Sequence, residues 1–291
     1  MKKITAFLAA LLAIIINQPL QAQQNESKDQ SLLWRISGKN LTKPSYLFGT
    51  IHLICKDDYL WTDKMKQSLD NSEKVCFEMN LNDPSVMMQV AGGMIDNSGK
   101  KLQDYFTPEQ YNLVLRYFQD SLGMSLSMLQ QMKPIGLQTF ISTKGSGCQN
   151  PTSYEENIME TAVQAKKEIL GLEDPKEQIA VLESIPVDTV IQQLLDEIQN
   201  KNQDEGEYAQ LISAYKKQDL PALYSMITSS KDLGDDMGVF LDDRNKKWIL
   251  RIEDKMKQSS VFFAVGAGHL WGTNGVINLL RKEGYTVEPL K

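Results

Sequence analysis

Short apolar runs and helical periods alternate in the first part of the chain. The mostly apolar run 45–48 predicts a β-strand, and Trp61, Met65 and Leu69 recur at the spacing of one helix face. A second strand-like run follows at 74–79. The pattern therefore predicts a unit of strand, loop, helix and strand.

The last part of the chain repeats this order. The apolar run 261–265 is typical of a buried strand, Asn274 can cap a helix that Gly284 ends, and 285–290 predicts a closing strand. Two such units imply parallel strands joined by right-handed crossovers. We therefore expect an α/β fold with a mostly parallel central sheet, which would bind its ligands at the carboxyl ends of the strands.

Helical periods dominate the middle of the chain. They run from about residue 83 to 230 and predict a large helical insertion. The run 167–172 is the exception and predicts a strand that returns to the sheet. Residues 31–291 are accordingly expected to form a single α/β domain, preceded by a flexible leader at 23–30.

The N-terminus has the pattern of a secretory signal peptide. Lys2 and Lys3 precede an apolar segment, and the small residue Ala22 marks the expected cleavage site. A membrane anchor is the alternative, although the apolar segment is shorter than the ~20 residues of a typical span. Residues 1–22 thus predict export to the periplasm or the medium, with no stable membrane span after cleavage.

Composition narrows the class of protein. The formal net charge of −6 argues against nucleic acid or an anionic membrane surface as a partner. Of the three cysteines, Cys76 lies in a strand-like run and is expected to be a buried free thiol. Export makes a disulfide plausible, and Cys55 with Cys148 is the pair that we expect if one forms.

Both histidines of the chain end the same pattern, Gly-x-x-His. His52 follows Gly49 and His269 follows Gly266, in each case just after a predicted strand. Histidine is the commonest neutral metal ligand and the usual general base near neutral pH. The pattern favours one shared site for the two rings, and two hydrogen-bonded structural histidines are the alternative.

Glu78 is the carboxylate expected beside them. It ends an otherwise apolar strand, where an unpaired carboxylate would be costly to bury. His52, Glu78 and His269 would suit a divalent metal ion that activates a water molecule, and without a metal they could act as general base and acid. A salt bridge at the strand end is the structural alternative for Glu78.

Two further residues are candidates for the same edge of the sheet. Glu173 follows the strand predicted at 167–172 and could be a base, a ligand or the partner that orients a histidine. Arg244 lies in a predicted helix at 237–257 and could stabilise negative charge on a substrate carbonyl. For Arg244, an exposed ion pair with Asp242 or Asp243 is the simpler interpretation.

Taken together, these residues resemble the motifs of the TraB/GumN family, which includes the Tiki metalloproteases. The matching segments, which occur in order over nearly all of the chain after residue 30, are Tyr46 to His52, Phe77-Glu78, Gly171 to Glu173, Arg244-Asn245 and Val265 to Leu270. The resemblance implies an α/β fold related to erythromycin esterase and the ChaN-like haem-binding proteins. By analogy with Tiki it also implies a metal-dependent peptidase activity. The sequence departs from the Tiki type in that no C-terminal membrane anchor is expected, so the choice of membrane-tethered substrates does not carry over.

The residues and the resemblance together leave three functional hypotheses. The first is an exported metal-dependent hydrolase, a peptidase by analogy, that uses a divalent ion such as Mn, Co or Zn. Its catalytic residues would be His52, Glu78, Glu173, Arg244 and His269, and its metal ligands His52, Glu78 and His269. The second is a metal-free esterase-like hydrolase acting on a peptide or small-molecule substrate. The third is a protein that binds a peptide or haem without turnover.

Overall fold

The computed structural model describes residues 30–145, 148–229 and 238–291. The predicted signal peptide, and all but the last residue of the predicted leader, lie outside the described residues. Within them, none of the helices combines the length and the apolarity that a membrane span requires.

A six-stranded sheet forms the centre of the fold, in the order β6-β4-β7-β2-β1-β8. A separate two-stranded ribbon is made by β3 and β5. The strands are β1 (Leu33–Ser37), β2 (Ser45–Thr50), β3 (Ile54–Cys55), β4 (Lys74–Phe77), β5 (Pro151–Thr152), β6 (Glu168–Gly171), β7 (Val261–Gly266) and β8 (Thr286–Pro289).

Eleven α-helices lie within the described residues. They are α1 (Asp63–Asn71), α2 (Pro84–Gly93), α3 (Pro108–Arg116), α4 (Pro134–Gly145), α5 (Tyr154–Gln164), α6 (Pro175–Glu183), α7 (Val187–Gln199), α8 (Lys201–Lys216), α9 (Leu220–Ser229), α10 (Asp243–Gln258) and α11 (Val276–Lys282). Several begin at a capping side chain followed by proline, which suits the first helical position. Thr107 before Pro108 and Asp174 before Pro175 are examples, and both side chains accept a backbone N–H bond.

The sheet confirms the predicted α/β fold. β6, β4, β7 and β2 are neighbouring parallel strands, and β8 runs in the same direction at the far edge. β7 lies in the middle, and its residues 261–265 are fully buried, as the apolar run predicts for a strand covered on both faces. Both predicted strand, loop, helix and strand units are present, and between β4 and β7 the described chain is helical apart from β5 and β6.

One strand of the six-stranded sheet, β1, was not predicted, nor were the two short strands of the ribbon, β3 and β5. β1 runs antiparallel between β2 and β8, while β7 of the second unit lies between β4 and β2 of the first, so the strands of the two units interleave in the sheet. The β1 residues Leu33, Trp34 and Ile36 are buried, whereas Arg35 faces outward and pairs with Glu288. The run contains no clear alternation of apolar and polar residues, which is the signal that usually identifies a strand with one solvent-facing side.

A disulfide ties the loop after β2 to the segment before α5. Cys55 and Cys148 are bonded, as expected from the sequence, and Cys76 is a buried free thiol. Ile54 and Cys55 of β3 also pair with β5, which directly precedes α5. The residues that follow His52 are therefore held against the start of α5 by both covalent and hydrogen bonds.

We expect replacement of both Cys55 and Cys148 by serine to lower the free energy of unfolding by about 2–5 kcal/mol. The bridge spans 93 residues of sequence, so its loss enlarges the conformational freedom of the unfolded chain. Urea denaturation of the oxidised protein and the double variant measures the difference. Reductant should lower the midpoint of the wild type and leave that of the variant unchanged, and equal midpoints for the two oxidised proteins would contradict the expectation.

Candidate functional site

Four of the predicted site residues meet at the carboxyl edge of the sheet. Glu78 directly follows β4, Glu173 lies two residues after β6, and His269 ends the short turn after β7. Arg244 reaches them from the first turn of α10. Because β6, β4 and β7 are adjacent and parallel, their carboxyl ends bring these side chains together.

Arg244 is the centre of this cluster. Its Nη2 lies 2.6 Å from Glu78 Oε2, and the same nitrogen contacts Glu173 Oε1. Its Nε donates to Glu173 Oε2 at 3.2 Å, and its Nη1 is 3.2 Å from His269 Nε2. The side chains of Arg244, Glu78 and Glu173 are only 11%, 12% and 2% exposed, so the cluster is buried.

The interpretation of Arg244 as an exposed helix ion pair is therefore wrong. Arg244 lies four residues before the fully buried Trp248, and this spacing places both on the inner face of α10. The guanidinium stacks over the Trp248 ring at 4.9 Å. Asp243 pairs instead with Lys246 on the exposed side, and Asp242 accepts a hydrogen bond from Asn274.

The two carboxylates have different proton affinities. Burial opposes ionisation of Glu78, but the electrostatic effects of His269 and Arg244 outweigh it and lower the pKa of Glu78 to about 2. The backbone N–H of Gly266 also donates to Glu78 at 2.9 Å. For Glu173 the burial effect prevails and raises the pKa, although Arg244 opposes it. Such a pair suits a fixed anion beside a group that exchanges protons.

His269 is a buried, neutral histidine with one defined tautomer. Burial lowers its pKa to about 3, and its ring packs 4.3 Å from that of Trp248. Asn245 donates its amide hydrogens to the carbonyls of His269 and Asn274, so its oxygen must face the ring. His269 Nδ1, 2.7 Å from that oxygen, therefore carries the hydrogen. The lone pair of Nε2 faces Arg244 and Glu78.

His52 lies in a different environment at the same edge. Its side chain is 77% exposed, and its Nδ1 lies 3.0 Å from Glu155 Oε1. This hydrogen bond raises the pKa of His52 to about 9. No hydrogen bond joins the two histidines, but the charge of His52 lowers the pKa of both His269 and Glu78. The rings thus share an electrostatic environment without touching.

Glu155 is the residue of this region that the sequence patterns missed. Its Oε1 accepts from Thr50 Oγ1 at 2.7 Å as well as from His52, and its Oε2 accepts from Ser153 Oγ at 3.0 Å. Its side chain is 16% exposed. The signal that could have found it is the expected bond between Cys55 and Cys148, which brings the start of α5 beside the loop of His52.

The chemistry of the donors fits a divalent ion, although they are not gathered around one point. Both histidines direct Nδ1 at a side-chain oxygen, which leaves Nε2 as the possible ligand, and Glu78 is an ionised carboxylate. Among the described residues, no group of three or more His, Cys, Asp or Glu side chains is arranged to hold a metal ion. Arg244 instead holds Glu78 and faces His269 Nε2.

Comparison with known proteins shows which family this chain matches. The profile of the TraB/PrgY/gumN family matches residues 32–289, which confirms the resemblance of the motifs. The chain is similar to "Metalloprotease TIKI1" of Danio rerio, with 24% identity over 90% of this chain and 64% of that protein. It is also similar to "Metalloprotease TIKI homolog" of Amphimedon queenslandica, with 24% identity over 91% of this chain and 62% of that protein.

The chain thus spans about three fifths of the length of these relatives. No solved structure gives a significant match to it.

We expect Arg244→Met to lower the free energy of unfolding by about 3–5 kcal/mol, because it leaves two buried carboxylates without their cation. Chemical denaturation at pH 7 measures the loss. Glu78 has a folded-state pKa of about 2 against an ordinary 4.5, so the stability it contributes is present above pH 4.5 and is lost as the pH falls towards 2. The difference between wild type and variant should shrink over this range.

The matched control is Arg251→Met on the same helix. Arg251 pairs with Glu177, but the two side chains are 36% and 32% exposed, so the loss should be about 1 kcal/mol or less. Adding Glu173→Gln to Arg244→Met should restore part of the stability. Equal losses for the two arginine variants, or no recovery in the double variant, would contradict the role of the buried charge.

Proposed function

We propose, because the chain belongs to the TraB/PrgY/gumN family, that it is a metal-dependent hydrolase that cleaves peptides. The curated relatives that it resembles are named metalloproteases. The observation that carries the proposal is a contact that the two histidines have in common. Each directs Nδ1 at a side-chain oxygen, an arrangement that fixes the orientation of metal-binding histidines.

His52, Glu78 and His269 are the proposed ligands. An ion such as Mn²⁺, Co²⁺ or Zn²⁺ bound there would supply Lewis acidity and lower the pKa of a bound water molecule. Glu78 is suited to this role because it is ionised, and His269 because it is neutral with its Nε2 lone pair free of hydrogen. His52 must release a proton before its Nε2 can bind a cation.

The surrounding residues have separate proposed roles. Asn245 and Glu155 orient the two imidazole rings. Glu173, whose pKa burial raises, exchanges a proton with the substrate or with water. Arg244 compensates the negative charge that develops on the carbonyl oxygen as the peptide bond is attacked. An ion at the proposed ligands competes with Arg244 for Glu78 and His269, so ligand binding and the position of Arg244 are coupled.

Export to an oxidising compartment is part of the proposal. The N-terminal segment 1–22 has the composition of a signal peptide, and the bond between Cys55 and Cys148 is of the kind that persists outside the cytosol. The substrate would then be a peptide in the periplasm or the medium.

A metal-free hydrolase is the second candidate, and the ion pair of Arg244 with Glu78 favours it, because it occupies the carboxylate that a metal ion would need. In that mechanism Arg244, which lies 3.2 Å from His269 Nε2, moves to the substrate oxygen, and the freed Nε2 accepts a proton from water. Metal binding separates the two candidates.

We expect the purified protein to bind one divalent ion per chain at micromolar concentration, and His52→Ala and His269→Ala each to weaken that binding at least ~100-fold. The physical reason is the loss of a ligand nitrogen. Dialysis against Mn²⁺, Co²⁺ or Zn²⁺ followed by elemental analysis measures it, and mass spectrometry of a peptide library measures cleavage. Cleavage by a protein that holds no metal would establish the metal-free mechanism, and tight binding of intact peptides would indicate a binding protein.

We expect Glu155→Ala to weaken metal binding roughly 10–100-fold while leaving the ligands in place, because His52 loses the oxygen that orients it. Glu155→Gln retains an oxygen acceptor and should recover part of the affinity. Glu160→Ala, an exposed change on the same helix, is the control and should bind as the wild type does. An unchanged affinity in Glu155→Ala would remove Glu155 from the site.

A further inference from the structure

A cleft of about 150 Å³ opens beside the candidate site. It is lined by His52, Phe77, Leu81, Ser153, Glu155, Glu156 and Met159. His52 forms one part of its wall, and Phe77 directly precedes Glu78 in the chain. A peptide bound at the site would therefore pass next to this cleft.

The size of the cleft suits one side chain. Sites for whole small molecules usually have volumes of roughly 300–1,000 Å³, at least twice that of this cleft. A single side chain of an extended peptide is a fragment of the right scale. The cleft is thus a candidate specificity pocket.

The lining combines an apolar wall with acidic groups. Phe77, Leu81 and Met159 come from the end of β4, from the loop that follows Glu78 and from α5, and they form the apolar part. Such a wall can bury the aliphatic stem of a long side chain. The same cleft also contains two acidic groups, Glu155 and Glu156. Negative charge there favours a bound side chain with a positively charged end.

The two carboxylates are not equivalent. Glu155 is occupied, because it accepts hydrogen bonds from Thr50, His52 and Ser153, and it offsets the positive charge of His52. Glu156 is exposed, and its backbone N–H, not its carboxylate, bonds to Ser153. Within the described residues, the Glu156 carboxylate has no hydrogen-bond or ion-pair partner. The cleft therefore offers one free negative charge.

We propose that this cleft binds a lysine or arginine side chain of the peptide substrate, with its aliphatic stem against Phe77, Leu81 and Met159 and its cationic end at Glu156. The net charge of −6 favours the approach of a basic peptide. The assignment rests on the proposed function only in that the bound peptide is also a substrate. Binding in the cleft does not itself require cleavage.

The experiment is a positional scan of blocked hexapeptides in which one alanine at a time is replaced by lysine, norleucine or glutamate. Norleucine has the aliphatic stem of lysine without its charge, so the ratio of lysine to norleucine isolates the charge. Binding is measured by competition with a fluorescent peptide on His269→Ala, and cleavage on the wild type. At one position we expect lysine to be preferred over norleucine about three- to fivefold, as for an exposed ion pair.

Further substitutions, made both in the wild type and in His269→Ala, show which residues cause the preference for lysine. Glu156→Gln should abolish the preference for lysine while norleucine peptides bind unchanged, and Glu156→Lys should turn it into a preference for glutamate. Leu81→Ala should weaken lysine and norleucine peptides alike. Glu160→Gln removes a carboxylate from the same exposed helix and should change nothing. Unchanged thermal unfolding shows that the variants are folded.

Three results would overturn the proposal. They are the absence of any position that prefers lysine, a lysine preference that survives Glu156→Gln, and a preference that Glu160→Gln abolishes equally. Failure of the proposed function gives a different pattern, because the wild type would then cleave no peptide while the binding scan still tests the cleft.

Discussion

The pairing of one buried arginine with two buried carboxylates determines the layout of this site. Arg244 joins α10 to the carboxyl ends of β4 and β6 through Glu78 and Glu173. Each of these charges would be costly to bury alone, so none of them can be placed independently of the others. These contacts fix the position of α10 against the sheet, and Trp248, one turn further on, packs against both Arg244 and His269.

The two histidines show how the same short motif acquires opposite properties from its surroundings. His269 follows the buried strand β7 and is covered by Trp248 and Asn245, so burial keeps it neutral. His52 follows a strand of the same sheet but projects into solvent, where Glu155 stabilises its protonated form. The sequence symmetry of the Gly-x-x-His motifs is thus not a symmetry of protonation state. One ring is a lone-pair donor and the other is a cation with a bound proton.

The sequence predicted those parts of the fold that depend on local pattern. The apolar run 261–265 identified the central strand, and the strand ends located Glu78, Glu173 and both histidines at one edge. It did not predict β1, whose mostly apolar residues give no alternation, or α4, where Gly136 and Thr139 interrupt the apolar period.

The partners of the site residues were harder to predict than their positions. An arginine next to two aspartates in a helix has an obvious local explanation, and only the buried Trp248 four residues later indicates the inner face. Glu155 contacts His52 across about a hundred residues of sequence, and no local pattern encodes such a contact.

The arrangement is better explained by chemistry at the site than by stability. A buried ion-pair network commonly contributes no more to stability than apolar residues of the same volume. Here the network holds Glu78 ionised, while burial keeps Glu173 closer to the protonation range against the effect of Arg244, beside a neutral imidazole. Separating the pKa values of neighbouring groups in this way is what acid–base chemistry requires.

With both glutamates ionised, Arg244 leaves one negative charge uncompensated, and a cation or a positively charged reaction partner can balance it. The same imbalance extends to the neighbouring cleft, where Glu156 adds a second uncompensated charge. The electrostatics of the whole edge therefore favour positively charged groups.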